Sequence, residues 1–159
     1  MKYTPYTAAS MDAIPQLARL SDSRRLAMQA LAQVLPFRTN SYVVDELIDW
    51  DDIPSDPIFQ LTFPQPGMLE SADLGRIGTL LREGASPQRI RPVADRIRLQ
   101  LNPHPAGQLE HNVPRLDGVP LPGLQHKYRE TVLFFPGRGQ TCHAYCTYCF
   151  RWAQFVGME

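Results

Sequence analysis

The chain has 159 residues, 43% of them hydrophobic and 20% charged, enough for one modest core and too few for a closed eight-stranded α/β barrel, which takes about 250 residues. Sixteen basic against sixteen acidic residues give a formal net charge of +0, so no global field gathers nucleic acid or an anionic membrane surface. The amino terminus, MKYTPYTAAS, has no apolar signal region, and no stretch approaches the roughly 18 apolar residues of a membrane span; the expectation is a cytoplasmic protein that meets its partners at a local site.

Fifteen prolines break the chain often and favour short helices joined by stiff connectors. Residues 21–35 place Leu26, Ala30 and Val34 on one stripe with Ala27, Leu31 and Leu35 beside it, and Ser21 or Ser23 can cap the start, which predicts an amphipathic helix. The next segment, SYVVDELIDWDDIPSDPIFQLTFP, should open as a short helix and run into an Asp/Pro-rich connector, because Pro54 and Pro57 push their predecessors out of helical geometry. Its acidic residues Asp45, Glu46, Asp49, Asp51, Asp52 and Asp56 lack the glycine and oxygen spacing of a calcium loop, so they read as solvated caps and turns.

A weaker helix follows over 69–83, loosened by Gly75 and Gly78 and stopped by Gly84. Ser86 and Pro87 then open another, in which Ile90, Val93, Ala94, Ile97 and Leu101 keep helical period despite Pro92; the two predict a helical hairpin. Residues 102–123 shift to Pro, His, Gly and Asn, an irregular connector in which we place the main boundary, with a helical region over 1–108 and a different architecture over 109–159. The run Glu130, Thr131, Val132, Leu133, Phe134, Phe135 is apolar without alternation, as suits a strand buried on both faces in a parallel sheet, and Pro136, Gly137 and Gly139 stop it. Without neighbouring strands it would expose unpaired edges and favour aggregation.

All three cysteines, Cys142, Cys146 and Cys149, lie on the loop after that strand with the spacing CxxxCxxC. An odd, clustered set is no disulfide framework and points to ligand or redox chemistry. A cuboidal iron-sulfur cluster takes thiolate ligands, and three of them leave one iron without a protein donor. A zinc site would need a fourth ligand, for which His143, His111, His126 or His104 are candidates, but zinc sites usually pair two separated ligand couples. Cys146 and Cys149 as a redox dithiol would leave the third cysteine unexplained, and buried hydrophobic cysteines would not need to cluster.

This CxxxCxxC segment, with the aromatic Tyr148 directly before the third cysteine and a strand ahead of it, resembles the signature of the radical S-adenosylmethionine superfamily. The flanks Val119, Pro120, Leu121, Pro122, Gly123, Leu124, Gln125, His126, Lys127, Tyr128, then Val132 to Phe134, then Cys142 to Arg151 are similar to the lysine 2,3-aminomutase family. So are Tyr42 through Ile48 and Asp56, Pro57, Ile58, which places the resemblance over residues 40–64 and 109–159.

The resemblance implies an α/β chain, its helical amino-terminal region followed by the first strand and cluster loop of an incomplete TIM-type radical barrel. Cys142, Cys146 and Cys149 would each hold one iron of a 4Fe-4S cluster, with S-adenosylmethionine on the fourth. An electron from the cluster would cleave the sulfonium to a 5'-deoxyadenosyl radical, so that an amino group migrates between adjacent carbons of an amino acid substrate. Tyr148 would lie against the adenosine, and Arg151 would bind the substrate carboxylate through its planar fork. His111 and His126 receive no catalytic role. The family also implies an electron donor such as a reduced flavodoxin or ferredoxin, and pyridoxal phosphate. Neither Lys2 nor Lys127, the only lysines, occupies the position of the family's anchoring lysine. The glycine-rich loop and acidic residues that complete such a site are also missing from these 159 residues, so the expectation is an amino-terminal piece, inactive alone. The competing expectation is a stand-alone iron-sulfur or zinc module without radical chemistry.

Overall fold

The computed structural model describes residues 3–101 and 111–134. Helix α1, Asp22–Val34, starts where Ser21 accepts a hydrogen bond from Arg24 N at 3.3 Å and buries Met28, Ala30, Leu31 and Val34, as its apolar spacing predicts. Ala30, Leu31 and Val34 join a core completed by α3, Ser71–Arg82, and α4, Pro87–Leu101, through Ile77, Ile90 and Ile97. These two helices form the hairpin expected from the sequence. Gly84 takes φ 64° after α3, with Ala85 N donating to Leu80 O at 2.9 Å and Gly84 N to Leu81 O at 3.0 Å, a Schellman closure that needs a residue free of Cβ strain.

Arg98 of α4 reaches across to the carboxyl end of α1. Its Nε donates to Val34 O at 2.8 Å and its Nη2 to Gln33 O at 2.7 Å, while Nη1 meets Asp95 Oδ1 at 2.6 Å. The side chain is only 15% exposed. A fixed cation thus satisfies two carbonyls that a helix end otherwise leaves open.

Met28 of α1 enters a second core with Met11 and Leu17 from the 3-10 turns Ala8–Ala13 and Pro15–Arg19, with Ile14 between those turns, and with Phe59 and Phe63. Phe59 and Phe63 stack at 5.0 Å, and Trp50 sets its edge against both at 5.8 and 6.0 Å. Around this core, β1, Pro5–Thr7, pairs antiparallel with β2, Arg38–Asn40. Val43–Leu47 forms a widened π turn where a short ordinary helix was expected. The expected connector beyond it contains helix α2, Pro57–Thr62. Pro57 sits in the first turn, where its missing N–H costs nothing, and buried Asp56 caps the helix by accepting from Phe59 N at 2.6 Å. Pro57 thus holds Asp56 out of helical geometry, as expected, and opens a helix where a connector was expected.

Residues 111–134 form two small antiparallel hairpins. Strands β3, Arg115–Leu116, and β4, Val119–Pro120, flank Asp117 and Gly118, both at positive φ (50° and 82°), as a tight two-residue hairpin turn requires. The irregular connector expected over 102–123 thus holds regular structure at its carboxyl end. Strands β5, Leu124–Tyr128, and β6, Thr131–Phe134, pair with a bulge between His126 and Tyr128. Leu121 N donates to Pro114 O at 2.9 Å and extends the first hairpin, and His126 N donates to Asn112 O at 2.8 Å, tying β5 to the segment ahead of β3.

The expected strand is therefore present at 131–134, but its surroundings differ from the expectation. Its described partner is antiparallel, and Val132 and Phe134 are 52% and 69% exposed. Its apolar composition is that of a buried strand; among the described residues one neighbour covers one edge, the face of Val132 and Phe134 is open, and Leu133 on the other face is half-buried opposite the buried Gln125. The expected boundary at 108/109 lies outside the described residues.

Two substitutions test these anchors. Arg98→Met should lower unfolding stability by about 1.5–3 kcal/mol, the range for a hydrogen bond from a charged donor, here to part-buried acceptors. Asp56→Ala should lower it by about 1–2 kcal/mol as the cap of α2 is lost. Urea unfolding followed by circular dichroism reads both.

Candidate functional site

Threonine, valine and phenylalanine give β6 its extended backbone, and Pro136, Gly137 and Gly139 follow it in the chain ahead of the cysteine segment. The expected ligands Cys142, Cys146 and Cys149, the expected adenosine contact Tyr148 and the expected carboxylate donor Arg151 all lie outside the described residues. Their chemistry is fixed by type. Three thiolates suit a cluster with one iron left for another ligand, so the donor set fits a 4Fe-4S centre. Of the two lysines, Lys2 lies outside the described residues and Lys127 lies in β5, ahead of the cysteines in the chain; neither fits the anchoring role of pyridoxal phosphate in the family that the sequence resembles.

The described titratable groups do other work. His126 is exposed, with Nε2 3.2 Å from Arg129 O across the β5–β6 turn, and His111 is exposed on a turn. Asp56 accepts from Asp49 N at 3.1 Å besides capping α2, Asp49 Oδ1 accepts from Asp51 N at 3.0 Å, and Asp51 meets Arg19 at 2.9 Å. These carboxylates hold turns and caps, and among the described residues no group of three or more His, Cys, Asp or Glu side chains could hold a metal ion.

The structure adds a residue that sequence reading passed over. Gln125 lies on β5 opposite Leu133 of β6 and is 1% exposed, yet among the described residues neither its Oε1 nor its Nε2 has a hydrogen-bond partner. Burying an amide without partners costs about 1–3 kcal/mol on protein-derived scales, so this side chain is a local destabilising element on the hairpin that leads to the cysteine segment. Its signal in the sequence is slight, a single polar residue between Leu124 and His126.

Gln125→Leu, which keeps the bulk and removes both unsatisfied groups, should raise the stability of the chain by about 1 kcal/mol, measured as a shifted urea midpoint at unchanged slope. A loss of stability would mean that the amide is satisfied in solution. In comparisons with known proteins, no family model, no curated protein and no solved structure matches this chain.

Proposed function

We infer that the chain carries the cluster-binding segment of a radical S-adenosylmethionine enzyme of the lysine 2,3-aminomutase kind, acting on an amino acid in the cytoplasm. The observation that carries this reading is the spacing Cys142, Cys146, Cys149 with Tyr148 before the last cysteine, following the strand Thr131–Phe134. In that reading β6 is the first strand of an α/β barrel and β5 leads into it.

Cys142, Cys146 and Cys149 would each hold one iron of a four-iron cluster, and their thiolate charge would favour a low cluster potential. When bound, the cluster and S-adenosylmethionine supply the one-electron chemistry that starts migration of an amino group between neighbouring carbons, with the electron drawn from a reduced flavodoxin or ferredoxin. Tyr148 offers an aromatic face to adenosine, and Arg151 offers two parallel N–H donors to a substrate carboxylate. No step is assigned to pyridoxal phosphate, because neither lysine of the chain stands where that family anchors it. The three cysteines bind metal in the competing reading as well, so the metal itself decides between the two: a zinc module takes one colourless ion with a fourth ligand such as His143.

Anaerobic reconstitution of the chain with ferrous iron and sulfide should give a brown protein holding about four irons per chain, and serine at Cys142, Cys146 or Cys149 should remove most of that iron. Adding S-adenosylmethionine should alter the electron paramagnetic resonance of the reduced cluster. Iron content that is indifferent to all three serines, or a chain that purifies with one zinc and takes up no iron, would contradict the reading.

A further inference from the structure

Independently of the cysteine segment, the helical region holds a cleft of about 290 Å³ lined by Tyr3, Ser41, Tyr42, Asp45 and Glu46, just below the usual range for drug-sized ligands and so suited to a smaller one. Tyr3 and Tyr42 set their rings 5.3 Å apart at an interplanar angle of 53°, which makes an angled aromatic wall, and the residues are 46% and 43% exposed. Asp45 and Glu46 add two carboxylates to the same cleft, and neither forms an ion pair with an arginine or lysine among the described residues.

The cleft is held by backbone that is fixed elsewhere. Ser41 N donates to Thr4 O at 2.9 Å and Ser41 Oγ accepts from Thr4 N at 3.1 Å, which clamps the chain beside Tyr3 to the chain beside Tyr42. The β1–β2 pairing of Pro5 with Asn40 continues that clamp, and Asn40 Oδ1 accepts from Val43 N at 3.1 Å to start the π turn. Val44 in that turn is fully buried in the second core, so Asp45 and Glu46, next in the chain, are carried on an anchored backbone. Gln16 Nε2 donates to Asp45 Oδ1 at 2.7 Å and orients that carboxylate.

Aromatic faces attract cations through the ring quadrupole, most strongly cations that are poorly hydrated, and carboxylates add direct charge. A hard metal ion would gain little from two tyrosine rings, and a neutral ligand would gain little from two carboxylates. We propose that this cleft binds a small organic cation, whose ammonium group seats against Tyr3 and Tyr42 and is neutralised by Asp45 and Glu46. The openness of the rings keeps binding weak, with a dissociation constant on the order of 1 mM, as exposed cation–π contacts and screened charges imply.

The test is a titration of the whole chain, labelled with ¹⁵N, with choline and cadaverine in parallel, against 3,3-dimethylbutanol as the neutral counterpart of choline. Saturable shifts should centre on the amides of Tyr42, Asp45 and Glu46 for at least one amine and be absent for the alcohol; the stronger amine tells a quaternary from a primary ammonium site. Glu46→Gln, at an exposed position, should weaken binding about threefold, and Tyr42→Leu about three- to tenfold, with Tyr42→Phe retaining most of it. A thermal melt of each variant shows whether it folds, and if Tyr42→Leu does not, the exposed Glu46→Gln decides. The proposal fails if neither amine gives saturable shifts up to about 50 mM, if the alcohol binds as well as choline, or if a folded Glu46→Gln variant binds unchanged.

Discussion

Helix α1 is a wall shared by two apolar cores, and much of the helical region depends on holding it in place. Leu31 and Val34 face α3 and α4, while Met28 faces the aromatic cluster of Phe59 and Phe63. A tilt of α1 that improved one core would open the other, and interiors packed at crystal density tolerate little of that. Its amino end is fixed by Ser21, and its carboxyl end by the Arg98 guanidinium on the Gln33 and Val34 carbonyls. Magnitude separates this contact from the other ion pairs. The Arg19–Asp51 and Arg89–Glu83 pairs are largely exposed and contribute at most about 1 kcal/mol each. Arg98 donates from a mostly buried position to two carbonyls at a helix end, which places it among the stronger single hydrogen-bonding groups.

The long helices were legible because period 3.6 survives over three or more turns. Ile90, Ala94 and Ile97 gave α4 even with Pro92 inside it, and Gly84 gave the stop of α3. The misses follow from physics that a short window does not weigh. The residues around Pro57 were read as a connector, although a proline that keeps Asp56 out of the helix also sits well in the first turn of the helix that Asp56 caps. β1 and β2 have three residues each and pair across the whole of α1, so neither carries a pattern of its own. The hairpin at Asp117 and Gly118 was readable from that dipeptide alone, and the surrounding Pro and Asn residues masked it. Strand β5 contains Gln125, His126 and Lys127 in succession and has no apolar run to announce it.

The candidate site divides along the same line. Cysteine spacing is legible because ligand chemistry depends on residue type and count, and CxxxCxxC reads the same in any fold. Gln125 was not legible, since a buried polar residue between Leu124 and His126 leaves no mark on its immediate neighbours. The cleft of Tyr3 and Tyr42 was equally hidden, because its two rings meet only through the clamp between Thr4 and Ser41. A formal net charge of +0 puts the burden of recognition on such local constellations. The acidic stretch from Asp45 to Asp56 shows how finely it is divided, with Asp56 and Asp49 spent on backbone donors and Asp45 and Glu46 turned to a cleft.

The functional account stands on a vacant iron corner, with three thiolates on a four-iron centre. Mössbauer spectroscopy of the ⁵⁷Fe-reconstituted chain, recorded with and without saturating S-adenosylmethionine, measures that corner directly. The account predicts that about a quarter of the iron absorption moves to a higher isomer shift on addition while the rest stays in place. A spectrum that S-adenosylmethionine leaves unchanged, with all irons equivalent, would contradict it.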